Sequence, residues 1–214
     1  MDILVDAADY PTEEIRDMTT KTRPLGLGFS NLGALLMLMG IPYDSDEGRD
    51  LAARVTRIMT TAAYKQSIEL AKKLGSFHYF KDNKRINAEI AGRLTEYSEN
   101  IAESIKENGL RNSQVTLLAP TGTISFMMDC DTTGIEPLFA LQTVKTLAGG
   151  GTMLIDYPCV KESIHKIAKK NNSAYSEDTT LAISGMSKSE QLIFKTANEI
   201  PWKAHIDMMA ACQP

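Results

Sequence analysis

A short strand that runs into a hydroxyl-rich turn, in the middle of the chain, most constrains the fold. Residues 114–118 read Gln-Val-Thr-Leu-Leu, a β-rich run, and residues 119–125 continue as Ala-Pro-Thr-Gly-Thr-Ile-Ser. Backbone N–H groups and hydroxyls can converge on an anion at such a strand end, and a helix that starts next adds its positive end. Ligands of open α/β folds bind at this edge of the sheet. The sequence therefore predicts an α/β fold with a phosphorylated ligand at this turn.

Two interpretations of the turn stay open from the residues alone. In the first, it binds a phosphate through backbone N–H groups, assisted by hydroxyls; the predicted binding residues are Thr121, Gly122, Thr123, Ile124 and Ser125. In the second, it is an ordinary strand-to-helix turn in which serine and threonine cap the helix. A Walker loop is excluded, because no lysine follows Gly122.

The composition argues against several classes of protein. The 214 residues are enough for one large domain with a substantial core, and the net charge of -4 argues against a nucleic-acid polymer as partner. No segment has the apolar length that spans a bilayer, and residues 1–6 lack the basic region of a signal peptide. Three widely spaced cysteines without a CxxC pair indicate a reducing compartment. We therefore expect a cytoplasmic protein with no disulfide framework and no membrane partner.

Hydrophobic periodicity predicts a chain rich in helices. The predicted helices cover residues 30–39 with Ser30 as the cap, 51–74, 86–105, 160–170, 189–199, and a last segment that begins at Pro201. The first is apolar nearly all round and should be buried. In the second, Leu51 and Ile58 belong to the expected core face, and in the last, Trp202 and Ile206 share an apolar face.

Glycines near the start of the chain imitate a dinucleotide-binding fingerprint. Gly26 and Gly28 match the first two glycines of the G-x-G-x-x-G motif, but Asn31 stands at the position of the third glycine. We therefore expect Gly33 to serve close helix packing instead. A second glycine cluster, residues 149–151, is predicted to be a flexible joint.

Acidic residues after the turn imitate the start of a calcium loop. Asp129, Asp131 and Gly134 have suitable spacing, but Ala140 stands in place of the bidentate glutamate that completes such a loop. The sequence therefore predicts no metal site and favours a rigid loop with Asx-type turns.

Several blocks together resemble the large chains of ribonucleotide reductases. Residues 120–124 resemble the phosphate-binding segment of those chains, and the block at 128–137 (Met-Asp-Cys-Asp-Thr-Thr-Gly-Ile-Glu-Pro) resembles the adenosylcobalamin-dependent (class II) branch in particular. Further blocks similar to that branch are residues 1–6, 23–28, 40–45, 147–151 and 208–214. Their order and spacing, which run from end to end of the chain, make the resemblance specific.

The resemblance implies a fold, a reaction and a cofactor. The fold would be part of the second half of a ten-stranded α/β barrel, helix-rich, with residues 1–214 as a single partial domain. The reaction would be reduction of a ribonucleotide to a 2'-deoxyribonucleotide, which supplies precursors for DNA replication, by a thiyl radical formed through adenosylcobalamin. The substrate would be the ribonucleotide, and the protein would hold its sugar in place beside the sulfur atom of the thiyl radical.

The chain departs from the family pattern at the radical machinery. The family's radical cysteine lies in an Asn-x-Cys-x-Glu block, which this sequence does not contain. Cys130, Cys159 and Cys212 are therefore expected to be small buried hydrophobes without a redox role, and no catalytic residue is assigned. Glu136 is either a supporting group at the barrel mouth or a loop carboxylate. We expect an interior piece of a reductase, inactive alone, from an incomplete gene or a split enzyme.

Two alternatives to the reductase segment remain. In the first, the chain is a non-catalytic scaffold that completes the barrel of a partner carrying the Asn-x-Cys-x-Glu block. Otherwise it is an unrelated phosphate-binding α/β enzyme, which predicts an acid/base pair near Ser125 drawn from His78, His165 or His205.

Overall fold

The computed structural model describes residues 1–82, 84–95, 100–146, 149–173 and 176–213. The chain divides into two compact units. Unit 1 comprises residues 1–28 and 54–118, and unit 2 comprises residues 29–53 and 119–213.

The described part of the chain is mostly helical. The helices are α1 Asp2–Ala7, α2 Glu13–Thr22, α3 Leu32–Met39, α4 Asp46–Leu74, α5 Lys84–Thr95, α6 Ile101–Asn108, α7 Gly122–Met127, α8 Pro158–Lys170, α9 Thr179–Ser184, α10 Lys188–Gln191 and α11 Trp202–Ala211. A 3-10 turn, Leu192–Phe194, follows α10, and the two strands are β1 Gln142–Thr146 and β2 Thr152–Asp156. None of the helices in these ranges is both long enough and apolar enough to span a membrane.

The segment predicted as a strand, residues 114–118, is extended but is not a regular strand. It runs parallel to residues 25–27, with one bridge between Leu27 and Thr116. The Leu27 N–H donates to the Val115 carbonyl at 2.9 Å, and the Leu117 N–H donates to the Leu27 carbonyl at 2.8 Å. Only one bridge joins the two segments, so residues 114–118 do not form the regular strand that the sequence predicts.

The core of unit 1 lies between the last turns of α4, the helices α5 and α6, and the segments that follow them. Its buried side chains are Ile68, Phe77, Leu94, Ile101, Ile105 and Leu110. The prediction of one helix over residues 86–105 was wrong. Asn100 adopts a left-handed backbone (φ 66°) and caps a separate helix, α6, while residues 96–99 lie outside the described ranges. A left-handed residue cannot continue a right-handed helix.

The buried face of α4 differs from the predicted one. Ala52, Thr56 and Thr60 are buried, at steps of four residues, whereas Ile58 is 71% exposed. Small side chains allow a helix to approach its neighbours closely, so the inward face of α4 cannot be read from hydropathy alone. The predicted stop was correct, because Gly75 follows the helix with φ 85°.

Unit 2 is built on the packing of α3 against α8. Its core side chains are Ala34, Met37, Leu138, Cys159, Val160, Ile164 and Phe194. The predicted close approach at Gly33 is confirmed, since a Cβ atom there would lie 2.5 Å from the Glu136 carbonyl oxygen. Gly40 ends α3 with φ 74°, as predicted. The cap prediction was wrong: Asn31, at φ 71°, precedes the helix, and the Ser30 side chain bonds elsewhere.

Unit 2 also contains a β-hairpin, the helices α7, α9, α10 and α11, and the 3-10 turn. Strands β1 and β2 pair antiparallel, from Gln142 opposite Asp156 to Thr146 opposite Thr152. Residues 149–151, predicted as a flexible joint, lie in the hairpin connection, and Leu147 and Ala148 lie outside the described residues.

The C-terminal helices depart from the predicted pattern in two ways. The predicted helix over residues 189–199 is instead the short α10 and the 3-10 turn. Ser187 and Glu190 form a capping box at the start of α10. In α11, the apolar face with Trp202 and Ile206 points outward, 75% and 58% exposed, while Met208 is buried.

Candidate functional site

The predicted phosphate-binding turn contains a residue in a constrained backbone conformation. Thr121 is left-handed (φ 52°) and directly precedes α7, which begins at Gly122. The Ser125 N–H donates to the Thr121 carbonyl at 2.9 Å and closes the first helical turn. A β-branched residue with positive φ is uncommon and costs conformational energy, so other contacts must hold Thr121 in place.

Three hydroxyl groups form a closed cluster beneath this turn. The Ser30 Oγ atom lies 2.7 Å from Ser125 Oγ and 3.0 Å from Thr121 Oγ1. Thr121 Oγ1 and Ser125 Oγ are 2.9 Å apart, and Ser125 is only 1% exposed. We call Ser30, Thr121 and Ser125 the hydroxyl cluster.

The loop after α7 closes the hydroxyl cluster from the other side. The Gly134 N–H donates to Thr121 Oγ1 at 2.7 Å and to Ser30 Oγ at 3.1 Å, and Ser30 Oγ donates to the Thr132 carbonyl at 3.3 Å. Gly134 has φ 47°, and a Cβ atom there would lie 2.6 Å from the Ala119 carbonyl oxygen. Only glycine fits this position without strain.

The hydroxyl cluster divides the five predicted binding residues into two groups. Each hydroxyl has one proton to donate, and the oxygen contacts within the cluster, with the Thr132 carbonyl, supply an acceptor for each of them. The side chains of Thr121 and Ser125 are therefore committed internally. The remaining three residues, Gly122, Thr123 and Ile124, are exposed.

The free donors of this site belong to the backbone. The N–H groups of Gly122, Thr123 and Ile124 occupy the first turn of α7, where no intrahelical acceptor exists. Among the described residues we find no other acceptor for them. The space above Gly122 is open, because a Cβ atom built there meets no atom within 4 Å. The turn therefore presents unsatisfied N–H groups to an open surface.

The loop that imitates calcium binding has a structural use instead. Asp131 Oδ2 accepts the Cys159 N–H at 2.6 Å, in the first turn of α8, where an anionic group is stabilised. The Asn31 side chain accepts the Thr132 N–H at 3.0 Å. In the described part of the chain, His, Cys, Asp and Glu side chains form no group of three that would hold a metal.

Glu136 behaves as a loop carboxylate. It is exposed, and its Oε2 atom accepts the Thr133 hydroxyl at 2.7 Å. The contact lies within the loop, as in the second of the two roles considered for Glu136, although its partner is a hydroxyl and not a backbone N–H group.

The cysteines lie mostly in the interior. Cys159 and Cys212 are buried, and burial raises the pKa of the Cys159 thiol well above its ordinary value. Such a thiol carries little thiolate and is a poor nucleophile. Cys130 differs from the prediction, since it is partly exposed.

Within the described ranges, the contacts of the Ser125 side chain include no histidine, which the alternative of an unrelated phosphate-binding α/β enzyme predicted as part of an acid/base pair near Ser125. Its side chain contacts the hydroxyls of Ser30 and Thr121. His205 instead faces the Ala197 carbonyl, at 3.1 Å, and packs against the Tyr43 ring.

Sequence reasoning missed two members of this site, Ser30 and Gly134. Ser30 was assigned to capping of α3, yet it reaches Thr121 across 91 positions of the chain. No local spacing reveals such a contact. For Gly134 the signal was present, because a glycine in a loop marks either positive φ or close backbone approach, and here both occur.

Comparison with known proteins first defines the class of protein. The whole chain, residues 1–214, matches the model of the family described as "Ribonucleotide reductase, barrel domain". The chain therefore belongs to the ribonucleotide reductase family, as a segment of its barrel domain.

Relatives within the family narrow the comparison. A "Vitamin B12-dependent ribonucleotide reductase" of Rhodopirellula baltica is 41% identical, over 100% of this chain and 24% of the relative. Another of that name, from Streptantibioticus cattleyicolor, is 36% identical over 100% of this chain and 41% of its own length. A "Vitamin B12-dependent ribonucleoside-diphosphate reductase" of Mycobacterium tuberculosis is 31% identical over 100% of this chain and 28% of its own length. The chain thus spans less than half the length of each of these relatives.

A solved structure supports the fold. The alpha subunit of the Actinobacillus ureae class Id ribonucleotide reductase superposes with a TM-score of 0.65 at 18% identity, over 99% of this chain and 36% of that chain. The chain is thus a helix-rich segment of the barrel domain, whereas the predicted α/β character is met only in part, because the described residues contain little strand.

Proposed function

We propose that this chain supplies the substrate-phosphate turn of a ribonucleotide reductase that converts ribonucleotides to 2'-deoxyribonucleotides. The observation that carries the proposal is the exposed set of N–H groups at Gly122, Thr123 and Ile124, beside open space. Both compact units would belong to one partial domain, in the second half of a ten-stranded barrel.

The turn would bind phosphate mainly through its backbone. Three N–H groups and the positive end of a helix favour a negatively charged oxygen, and the Thr123 hydroxyl is exposed and able to assist. Thr121 and Ser125 would contribute by fixing the shape of the turn, since their hydroxyls bond within the hydroxyl cluster. A phosphate held by rigid donors keeps the attached sugar in one position for the reaction.

The cofactor of this reductase would be adenosylcobalamin, in line with the names of the relatives. Bound in the enzyme, it supplies the radical that starts the reduction. The turn presents N–H donors suited to an anion of phosphate size rather than an apolar cradle suited to a corrin ring. No described residue is therefore assigned to the cofactor.

The radical chemistry would depend on a polypeptide region with an Asn-x-Cys-x-Glu block, absent from this sequence. The buried positions of Cys159 and Cys212 support leaving these cysteines out of the redox steps. We propose that the chain acts with a partner, or with other parts of the same reductase, that carries the block.

A second candidate function is a non-catalytic scaffold that completes the barrel of such a partner. The observation in its favour is the single parallel bridge between Leu27 and Thr116. Each of these segments has an outer edge that further strands of a barrel would cover. Binding of the block-carrying chain without any contribution to nucleotide affinity would favour this role.

The variant Gly122→Val tests the phosphate site. Because a Cβ atom at Gly122 meets no atom within 4 Å, the variant should fold normally, and its side chain would crowd only an incoming ligand. We expect the affinity for a ribonucleoside diphosphate or triphosphate to fall about tenfold for each phosphate hydrogen bond lost.

The matched control is Gly92→Val, in α5 of unit 1, where a Cβ atom also meets nothing within 4 Å. Nucleotide affinity should be unchanged in this control when measured by isothermal titration. An unchanged affinity in Gly122→Val would count decisively against the proposed site.

A further inference from the structure

We infer that Ser30 is a positioning residue for the phosphate-binding turn. This inference rests on the proposed function of that turn, and it concerns a residue outside the five that were predicted to bind phosphate. Ser30 would touch no substrate atom. It would act through Thr121 and Ser125, whose hydroxyls it contacts at 3.0 Å and 2.7 Å.

Ser30 connects three stretches of chain that are far apart in sequence. Its Oγ atom is within hydrogen-bond distance of Thr121 at the start of the turn, of Ser125 in α7, and of Gly134 and Thr132 in the following loop. A single hydroxyl thereby joins the entry of the turn, its first helical residues and the loop that packs beneath it. All of these residues lie in unit 2.

The property that Ser30 controls is the backbone of Thr121. A left-handed conformation at this β-branched residue (φ 52°) is unfavourable by itself. Thr121 Oγ1 is held by Ser30, by Ser125 and by the Gly134 N–H, the last at 2.7 Å. Because the N–H groups of the next three residues take their direction from this conformation, a looser Thr121 would leave them less well aligned for phosphate.

Loss of the Ser30 hydroxyl should not unfold the chain. In Ser30→Ala, the buried Ser125 hydroxyl keeps its contact with Thr121, and the Gly134 N–H keeps Thr121 Oγ1 as its acceptor. The Thr132 carbonyl loses the Ser30 hydroxyl, but at 3.3 Å this is a long hydrogen bond, so its loss should cost little folding stability. The expected defect is therefore one of alignment, not of folding.

The control for this variant is Thr133→Ala. Thr133 Oγ1 donates to the exposed Glu136 carboxylate at 2.7 Å, in the same loop as Gly134 but outside the hydroxyl cluster. Its removal takes away a hydroxyl and one hydrogen bond of similar length without touching Ser30 or Thr121. The variant Ser30→Thr, which keeps a hydroxyl, serves as the rescue.

The experiment titrates the full chain with a ribonucleoside diphosphate and, separately, with the same nucleoside lacking phosphate. Each variant is first checked for wild-type circular dichroism. We expect Ser30→Ala to bind the diphosphate about tenfold more weakly, the effect of one lost aligning hydrogen bond. Binding of the phosphate-free nucleoside should not change. Thr133→Ala should match the wild type, and Ser30→Thr should recover most of the lost affinity.

A purely structural role for Ser30 would change binding of both ligands alike, or neither. Wild-type diphosphate affinity in Ser30→Ala, alongside lost affinity in Gly122→Val, would overturn the inference and leave the proposed function standing. If the wild-type chain and Gly122→Val bind the diphosphate equally, or neither binds it, the inference and the proposed function are both overturned.

Discussion

The variant Arg23→Met should destabilise unit 1 by about 3 kcal/mol, the lower end of the cost of breaking a buried ion pair. The Arg23 side chain is only 5% exposed and bonds two carboxylates. Its Nε atom donates to Asp2 at 2.9 Å, and its Nη1 and Nη2 atoms donate to Asp6 at 2.7 and 2.8 Å. Methionine keeps the apolar stem but removes every one of these donors.

The magnitude depends on which carboxylate is left behind. The Asp2 side chain is 10% exposed and would lose its strongest partner, while keeping Asn112 at 2.9 Å and Arg111 at 3.3 Å. The Asp6 side chain is 59% exposed and can be solvated after the loss of Arg23. Asp2 keeps two hydrogen-bond donors, and water can solvate Asp6. The cost in unfolding free energy should therefore lie at the lower end of the range for a broken buried ion pair.

The assay is urea unfolding at pH 7, followed by far-ultraviolet circular dichroism, with Arg16→Met as the control. Arg16 is 63% exposed and lies 3.8 Å from Glu13, so its loss should cost about 0–1 kcal/mol. A change in the free energy of unfolding for Arg23→Met that is no larger than for this control would refute the reasoning.

Two further predictions concern pH and the loop beneath the turn. Burial alone would raise the pKa of Asp2, but hydrogen bonds from Arg23, Asn112 and Arg111 lower it overall, and the bond from Arg23 lowers the pKa of Asp6. Carboxyl groups whose pKa is lowered in the folded state stabilise that state at pH values above their unfolded pKa. The free energy of unfolding should therefore decline as the pH falls below about 4. A free energy of unfolding that stays constant in urea titrations from pH 5 to pH 3 would contradict this prediction. Gly134→Ala should cost about 2 kcal/mol or more, because a Cβ atom would lie 2.6 Å from the Ala119 carbonyl oxygen at φ 47°. The control is Gly122→Ala, because a Cβ atom at Gly122 meets no atom within 4 Å, and its melting temperature should not fall. Equal melting temperatures for Gly134→Ala and Gly122→Ala would refute the prediction.

Sequence reasoning identified elements whose signals are local. Helix α3 with its glycine stop, α4 with Gly75, and the end of α6 at Gly109 follow from hydrophobic periodicity and the positive φ that glycine permits. The turn at residues 120–125 was recognised because proline, glycine and hydroxyl residues together specify it. In each case the information lies within a few residues of the feature.

Features that depend on distant partners could not be predicted. The pairing of Leu27 with Thr116 joins two segments nearly 90 positions apart. A regular strand at residues 114–118 would need more strand pairing than the one bridge found among the described residues. The break at Asn100 lies within an uninterrupted apolar stripe, so periodicity predicted one helix. Ser30 resembles a helix cap in sequence, and only the position of Ser125 reveals its other role.

The most direct test of the account is reductase activity with adenosylcobalamin, a dithiol and a ribonucleotide. It compares the chain alone with the chain mixed with a polypeptide that carries an Asn-x-Cys-x-Glu block, and repeats the mixture with Gly122→Val. We predict deoxyribonucleotide only in the mixture, and a raised KM for the ribonucleotide in the variant. A folded chain that gives no product in the mixture, or a variant with the wild-type KM, would contradict the claim that this turn holds the substrate phosphate of a reductase.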